Sequence, residues 1–276
     1  MKIGIIGGTG LMGKWFKHFF EQRGFEVLIA GRKTSLSMED VARSCDVVII
    51  SVPISATVNI IKKIGHLVQE DALMMDFTSL KTEPVNAMMK YSNAHVLGMH
   101  PVFGPGVKTI RNQTIVLTPG RGDKWLKWAK QLFKKAGAKV RMTTPERHDE
   151  MMAIIQGITH FSAISIGYAF KELGVDLQES LHYTSPIYKL RMDMVGRILS
   201  QDPQLYADIE MCNPHTMKVT EAYINASKKL QFIIEKKDKD AFEKYFKEAS
   251  DFFGSFKKEA VEYSDYIVEK LVRKKK

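Results

Sequence analysis

At 276 residues the chain is long enough for two domains, each with a substantial buried core. Its formal net charge is +10, but the absence of a basic stripe with interleaved aromatic residues argues against nucleic-acid binding and favours anionic substrates and cofactor phosphates. The two cysteines, Cys45 and Cys212, form no disulfide framework or metal-ligand spacing, and no apolar run approaches ~18 residues, so we expect a cytoplasmic protein without a metal, signal peptide or membrane span.

A glycine-rich turn lies between the first predicted strand, Lys2 to Ile6, and the first predicted helix, Lys14 to Arg23. Its sequence, GGTGLMG, contains the spacing G-x-G-x-x-G. These glycines permit a tight turn, close approach of a pyrophosphate and close packing of helix on strand. The position between strand and helix predicts a dinucleotide site at the helix N-terminus, with a merely tight turn as the alternative. The expected cofactor-binding residues are Gly8, Thr9, Gly10, Leu11, Met12 and Gly13.

The end of the second strand, Glu26 to Ala30, bears on the choice of dinucleotide. An NAD-selective site usually has Asp or Glu here, about 20 residues beyond the glycines, to bind the ribose 2′-hydroxyl. This chain instead has glycine followed by Arg32, Lys33 and two hydroxyl residues. That composition suits a 2′-phosphate, so we expect NADP, with NAD as the alternative. Arg32 and Lys33 could otherwise stack on the adenine or face solvent.

Strands and helices continue to alternate through the first half of the chain. Further strands are predicted at Asp46 to Ser51, Ala72 to Phe77, His95 to His100, Asn112 to Thr118 and Lys139 to Met142. This alternation predicts an α/β fold, a Rossmann-type doubly wound parallel sheet, over residues 1–144. Val52 and Pro53 follow the third strand and are expected to line the cofactor crevice.

His100 stands where the apolar strand LGM ends and the turn PVFGP begins. Ligands bind at the carboxyl ends of strands in open α/β sheets, and a histidine with a pKa near ~6.5 can exchange a proton there. His100 is therefore a candidate general base, with a turn cap as the alternative. Ser79, after the preceding strand, is expected at the same edge, and a helix N-cap is its alternative role.

From Pro145 onward no further strand is predicted, so residues 145–276 are expected to form an all-helical domain. Its first helix, Pro145 to about Leu173, is apolar on most faces, which indicates burial at a domain or subunit interface and predicts a homodimer. Later helices begin at Pro186, Pro203, Asn213 and Lys239. The basic tail, Arg273 to Lys276, is expected to be solvated.

Two polar sets interrupt the helical domain. Gln156 and His160 are four residues apart, so they share a helix face and either pair with each other or bind a ligand. Lys189, Asp193 and Arg197 also share one face. They form either an ordinary salt-bridge ladder or an anion site in which Arg197 binds a substrate carboxylate with two hydrogen bonds.

Several motifs together resemble one enzyme family. They are Gly8-x-Gly10-x-x-Gly13, Asp76-x-x-Ser79-x-Lys81, the block from Gly98 to Pro105, Gln156 to His160, SPIY at Ser185, MVGR at Met194 and QDPQLYADI at Gln201. Over nearly its whole length the chain resembles the prephenate dehydrogenases, which include arogenate dehydrogenases. The last block is particularly similar to the dehydrogenase half of bacterial chorismate mutase–prephenate dehydrogenase fusions.

The resemblance implies oxidative decarboxylation of prephenate, or alternatively of arogenate, in tyrosine biosynthesis. His100 would accept the proton of the ring 4-hydroxyl while hydride leaves for the nicotinamide and the ring carboxylate departs as CO2. Ser79 would orient His100 or the hydroxyl. The implied substrate-binding residues are Gln156, His160, Lys189 and Arg197.

Other functions fit less well. A β-hydroxyacid dehydrogenase would need a catalytic lysine on the long helix, where Glu150 to Leu173 offers only Lys171 near the end. A non-catalytic dinucleotide sensor would keep the glycine turn but would need neither His100 nor Arg197. Nucleic-acid binding is a third alternative, which retention of polynucleotide at moderate salt would reveal.

Overall fold

Seven strands form a single sheet in the computed structural model, which describes residues 1–273; Lys274–Lys276 of the basic tail lie outside the described residues. In chain order the strands are β1 (Lys2–Ile6), β2 (Glu26–Ala30), β3 (Val47–Ile50), β4 (Leu73–Asp76), β5 (His95–Pro101), β6 (Thr114–Arg121) and β7 (Lys139–Met142). Their order in space is β2-β1-β3-β4-β5-β6-β7. The chain moves outward in both directions from β1, which confirms the doubly wound sheet and places a crevice between β1 and β3.

One strand departs from the predicted parallel sheet. β6 runs antiparallel to β5, whereas the other neighbouring pairs are parallel. The prediction of an all-parallel sheet is therefore wrong at β6. A parallel neighbour requires a long crossover, usually a helix, and residues 102–113 between these strands contain none, so the chain turns back directly.

Five helices cover the sheet: α1 (Leu11–Glu21), α2 (Met38–Ser44), α3 (Ile54–Ile64), α4 (Thr82–Tyr91) and α5 (Asp123–Lys135). The first begins three residues earlier than predicted. The second is absent from the prediction although its signal is local. Ser37 accepts a hydrogen bond from the backbone N–H of Asp40, whose carboxylate accepts one from Ser37 in return, and this capping box fixes the start of α2.

The core lies on both faces of the sheet. Ile3, Ile5 and Ile49 pack on one face with the rings of α1 and α5, and Ile6, Val48 and Ile50 pack on the other with α2 and α3. Because successive residues of a strand point to opposite faces, strands covered on both sides must be apolar throughout. Each fully buried side chain of this size contributes about 1.5–3 kcal/mol to stability. The sheet is thus a rigid base for the loops at its carboxyl edge.

The second half is helical, as predicted. Its α-helices are α6 (Pro145–Met152), α7 (Ile158–Glu172), α8 (Leu177–Ser180), α9 (Pro186–Leu199), α10 (Pro203–Cys212), α11 (Thr216–Lys236), α12 (Lys239–Phe253) and α13 (Phe256–Arg273). The predicted single long helix is interrupted by a π-helical turn, Ala153–Gly157, which joins α6 to α7. Such turns insert an extra residue and are frequent at functional sites.

By its contacts the chain divides into two compact units. The first contains Met1–Gln156 and Gln204–Thr216, and the second contains Gly157–Pro203 and the described residues from Met217 onward. The start of the long helix, together with α10, therefore belongs with the sheet. The domain boundary at residue 145 stays a prediction from sequence.

The helical segment Pro145–Glu172 is, by length and composition alone, sufficient to cross a membrane, although the sequence was expected to contain no membrane span. Only 17% of its most apolar window is buried within the chain. However, its first part carries buried His148, Asp149 and Met152 against α4 and β6, so that part is anchored to the sheet. The remainder presents apolar residues of the kind expected at a subunit interface.

Candidate active site

His100 is the penultimate residue of β5 and is almost fully buried, with 3% of its surface exposed. β4 lies beside β5 with Asp76 opposite Gly98, so the polar ends of both strands meet at one edge of the sheet. The loop that follows is held to α1, because the Trp15 indole N–H donates to the Val107 carbonyl over 2.8 Å. The candidate base and the helix of the glycine turn are thus fixed to each other.

A chain of hydrogen bonds leads away from His100. Its Nδ1 lies 2.9 Å from Nε2 of His148, and Nδ1 of His148 lies 2.8 Å from an Oδ1 oxygen of Asp149. His148 is 1% exposed and Asp149 is 2% exposed. We refer to His100, His148 and Asp149 as the relay. All three side chains are shielded from solvent, so the two imidazoles need partners within the protein for their ring nitrogens.

Asp149 also caps helix α4. It accepts the backbone N–H of Lys81 over 2.8 Å and that of Thr82 over 2.9 Å, while α4 has no side-chain cap of its own. Burial opposes ionisation of Asp149, but the hydrogen bonds from His148, Thr82 and Lys81 outweigh it, so the pKa of this carboxyl lies below its usual value. Asp149 is therefore a carboxylate at neutral pH.

A buried ion pair supports the strand that carries the base. The Lys81 ammonium contacts the Asp76 carboxylate with both side chains fully buried, and it donates to the Met99 carbonyl over 3.0 Å. Asp76 also accepts the backbone N–H of Thr78. Burial lowers the pKa of Lys81, and the charge of Asp76 opposes that effect. The pair holds the backbone immediately before His100.

The same surroundings keep His100 uncharged. Burial holds the pKa of His100 well below its ordinary value, and the neighbouring His148 and Lys81 lower it further. Burial also lowers the pKa of His148, although the hydrogen bond to Asp149 partly offsets this effect. Both imidazoles are neutral near pH 7, which leaves His100 able to accept a proton.

Ser79 lies half-buried in the loop between β4 and α4. The N-cap of α4 is Lys81, so the alternative role of Ser79 as a helix N-cap is excluded. The loop belongs to the same sheet edge as His100, in agreement with the predicted placement of both residues.

The glycine turn fits a dinucleotide. A Cβ atom on Gly8 would lie 2.5 Å from Cγ2 of Ile29, and one on Gly13 would lie 2.6 Å from the Gly7 carbonyl oxygen. Only glycine permits these approaches. Helix α1 begins at Leu11 with no side-chain cap, so its first N–H groups are oriented for a phosphate. The six predicted residues from Gly8 to Gly13 are brought together in this turn.

Arg32 and Lys33 are exposed in the turn that follows β2. The Thr34 hydroxyl closes this turn by accepting the Gly31 N–H over 2.8 Å. No acidic side chain occupies the position that would bind a ribose 2′-hydroxyl. On the other side of β1, Val52 is partly buried against the core and Pro53 is the N-cap of α3.

The polar residues of the long helix fall in different units. Gln156 lies in the π-helical turn and ends the first unit, whereas His160 lies in α7. The π turn breaks the regular four-residue spacing on which their predicted common face depends. The Gln156 Oε1 oxygen is buried and has no hydrogen-bond partner among the described residues.

On α9 the predicted ladder forms in part. Lys189 contacts Asp193 in an ion pair whose side chains are 43% and 46% exposed, and Arg197 is exposed one turn further on. A cavity of about 480 Å³ adjoins the pair and is lined by Leu181, Thr184, Pro186, Leu271 and Val272. The structure therefore places Lys189 and Arg197 on one exposed helix face.

Sequence reasoning missed the two residues behind His100. His148 and Asp149 follow the helix start Thr144-Pro145 by one turn, and only their adjacency, a histidine next to an acid near the start of the long helix, could have identified them. Asn213, from the connection after α10, donates to the Asp149 carbonyl over 2.8 Å and holds the same segment. These contacts join residues far apart in sequence, so local patterns cannot reveal them.

Comparisons with known proteins agree on one family. Two family models match, the nucleotide-binding domain of prephenate dehydrogenase at residues 26–142 and its dimerisation domain at residues 144–248. The chain is 40% identical to a probable arogenate/prephenate dehydrogenase of Methanocaldococcus jannaschii, with 97% of this chain and 64% of that protein covered. It is 31% identical to the T-protein of Haemophilus influenzae, covering 97% of this chain and 71% of the relative.

Solved structures share the fold. Prephenate dehydrogenase from Aquifex aeolicus, in complex with hydroxyphenyl propionate and NAD+, matches with a TM-score of 0.73 and 23% identity over 91% of this chain and 96% of that one. Synechocystis arogenate dehydrogenase matches with a TM-score of 0.72 and 19% identity, covering 93% of this chain and 100% of the other. At these identities the likeness concerns the fold alone. The chain spans 64% of the length of the relative from Methanocaldococcus jannaschii.

Proposed function

The chain belongs to the prephenate dehydrogenase family, and on that premise we propose that it oxidatively decarboxylates prephenate to 4-hydroxyphenylpyruvate in tyrosine biosynthesis. The observation that carries the proposal is the buried, neutral His100 at the carboxyl edge of a sheet whose first turn fits a dinucleotide. A base and a hydride acceptor at one sheet edge suit the oxidation of a hydroxyl-bearing carbon. Arogenate, which bears an amino acid side chain in place of the keto acid, is the alternative substrate.

His100 acts as the general base. Its Nε2 atom accepts the proton of the ring 4-hydroxyl, and the hydrogen on the ring carbon that bears this hydroxyl leaves as hydride. The bond to the ring carboxylate then breaks, CO2 departs and its electron pair makes the ring aromatic. Ser79 orients His100 or the substrate hydroxyl from the neighbouring loop. Burial of His100 excludes competing water and keeps the imidazole in its basic form.

The glycine turn holds the cofactor, which supplies the hydride acceptor when bound. Gly8 to Gly13 bind the pyrophosphate, and Val52 and Pro53 line the crevice beside it. The exposed Arg32 and Lys33, with no acid nearby in the turn, support NADP as the preferred dinucleotide and leave NAD as the alternative.

Substrate binding in this proposal follows the family resemblance. Arg197 binds a carboxylate, and Lys189 adds positive potential although it is paired with Asp193. Gln156 and His160 complete the substrate-binding set. The unpartnered Oε1 oxygen of Gln156 supports this role, since a buried acceptor without a donor in the chain is available to a ligand.

We also propose a cytoplasmic homodimer. The match to a dimerisation domain over residues 144–248 supports self-association, as do the apolar side chains of α7 that a single chain leaves exposed, among them Ile164 (40%) and Tyr168 (61%). Light scattering that gave a monomer at micromolar concentration would contradict the dimer. The two cysteines are unpaired, which suits a reducing compartment.

The test is a direct assay for the reduced nicotinamide by its absorbance, with prephenate and arogenate each paired with NADP+ and NAD+. Reduction with prephenate supports the proposal, and reduction only with arogenate moves the substrate assignment while keeping His100 as base. The His100→Asn variant should bind the dinucleotide but not turn over. A folded protein that binds a dinucleotide and reduces it with neither substrate would be a sensor, and the proposal would fail.

A further inference from the structure

The relay behind His100 has a role that goes beyond the proposed base itself. We propose that His148 is a positioning residue which, oriented by Asp149, fixes the tautomer of His100. It also stabilises the imidazolium that forms while His100 holds the substrate proton. This inference rests on the proposed function for its second part. The tautomer assignment depends on geometry alone and is testable without substrate.

The direction of each hydrogen bond follows from Asp149. A carboxylate can only accept, and this one accepts the backbone N–H groups of Lys81 and Thr82. The bond from His148 to Asp149 must therefore be donated by Nδ1–H. A neutral His148 then has a bare Nε2, which can only accept, so the 2.9 Å contact requires His100 to donate from its Nδ1. The lone pair of His100 is left on Nε2.

The opposite arrangement is unfavourable. If His148 carried its proton on Nε2, its bare Nδ1 would face the Asp149 carboxylate over 2.8 Å, with no hydrogen between two acceptors. The His100 lone pair would then lie on Nδ1 and point into the protein rather than toward a substrate. Leaving a buried acceptor unpaired costs about 1–3 kcal/mol, which favours the first tautomer strongly.

The reaction does not require the relay to release a proton to solvent. The substrate O–H bond breaks as the His100 Nε2–H bond forms, the C–H electron pair leaves with the hydride, and the C–C pair left by CO2 enters the ring. The resulting phenolate oxygen then takes the proton back from Nε2. The proton is thus returned and not exported, and the relay is closed because all three members are at most 3% exposed.

For the time that His100 holds the proton, the relay must stabilise an imidazolium. His148 accepts the His100 Nδ1–H, and the Asp149 carboxylate supplies the opposite charge one residue further along. Among the described residues, Lys81 is the cation whose charge acts on both histidines, and Asp76 neutralises it. Without His148, the imidazolium would be left beside Lys81 with no acceptor.

Three variants separate positioning from mere structure. We expect His148→Phe, which keeps the ring volume but has no acceptor, to lower kcat by about 10²- to 10⁴-fold with the KM for prephenate and the dinucleotide Kd nearly unchanged. His148→Gln, whose amide oxygen can accept the His100 N–H, should recover at least tenfold of that loss. Asp149→Asn should favour the wrong tautomer and lose activity to a similar extent. His66→Phe, at an exposed histidine, is the matched control.

Nitrogen-15 NMR of the histidine rings provides the readout that a structural role would not move. In the substrate-free protein we expect His100 protonated at Nδ1 and bare at Nε2, and we expect this preference to disappear in His148→Phe. A protonated His100 Nε2 in the wild type, or a His148→Phe enzyme within threefold of wild-type kcat, would overturn the inference. A wild type inactive on both substrates would instead refute the proposed function, and the NMR result would still decide the tautomer.

Discussion

Asp208 of α10 caps the start of α3 from 153 residues away, accepting the backbone N–H of Ser55 over 3.1 Å and its hydroxyl over 2.9 Å. The natural N-cap of α3, Pro53, provides no side-chain hydrogen bond. A carboxylate at this end also interacts favourably with the helix dipole. This contact, with that of Asn213 to Asp149, explains why α10 belongs to the sheet unit and not to the helical unit that surrounds it in sequence.

Removal of that cap should destabilise the sheet unit. Asp208 is 6% exposed, so Asp208→Ala leaves two donors at α3 without their charged acceptor, and we expect the free energy of unfolding to fall by about 1.5–3 kcal/mol. Denaturant unfolding monitored by tryptophan fluorescence measures the change. Ser55→Ala, which retains the backbone donor, is the matched control and should cost less than half as much. Equal losses in the two variants would contradict the charged-cap interpretation.

Stability should depend on pH through His100 and His148. Burial is the main cause that lowers the pKa of both. Below about pH 6.5 the unfolded chain binds these protons while the folded chain does not, so the free energy of unfolding should fall by up to about 1.4 kcal/mol per pH unit for each histidine as pH drops from 7 toward 5. Above that range this contribution is fully present.

Denaturant unfolding at a series of pH values measures the slope. The His148→Phe variant has one fewer buried imidazole and should show about half the wild-type slope. The exposed His66→Phe variant should retain the full slope. A wild-type stability independent of pH over this range would mean that the two imidazoles titrate normally in the folded state.

Replacing only one partner of the buried ion pair Lys81–Asp76 should strongly destabilise the protein. Lys81→Met leaves a fully buried carboxylate unpaired and removes the donor to the Met99 carbonyl, so we expect a loss of about 3–5 kcal/mol. In the double variant Lys81→Met/Asp76→Asn the buried charge is gone, and part of that stability should return. Thermal unfolding of both proteins tests this, and a double variant less stable than Lys81→Met alone would refute the charge argument.

Arg32 and Lys33 should decide the choice of dinucleotide. Replacement of both by alanine removes the cations available to a 2′-phosphate, and we expect the Kd for NADP+ to rise by about 10- to 100-fold while that for NAD+ changes less than threefold. Binding titrations with each dinucleotide measure the ratio. Lys127→Ala, at an exposed lysine on α5, is the control for a general loss of positive charge. A parallel loss for both dinucleotides would show that the two residues act on the shared adenosine part.

The parts of the fold that could be predicted from the sequence are those encoded by residues close together in the chain. The apolar strands and the spacing of Gly8, Gly10 and Gly13 are local signals, and the sheet and its first turn follow from them. The antiparallel direction of β6 depended on the absence of a crossover helix in residues 102–113, a feature that is easy to overlook. The capping box at Ser37 was a readable signal for α2.

Only part of the candidate site could be predicted from the sequence: His100 could be identified, and the residues behind it could not. His100 could be identified because its strand and its proline-rich turn are contiguous in sequence. His148 comes into contact with it across 48 residues, through the docking of α6 on α4 and β6, and no periodicity encodes that docking. The predicted substrate residues of α7 and α9 are placed on their helices, and their roles stay predictions.

Asp149 is at once the cap of α4 and the last member of the relay. In many enzymes the residues that make a site reactive weaken the fold, and engineers exchange activity for robustness. Here one carboxylate serves both, so a substitution that loosens the helix also disturbs the base. Variants selected only for thermal resistance should therefore keep this position unchanged, and attempts to stabilise the protein have more freedom on the exposed face of α5.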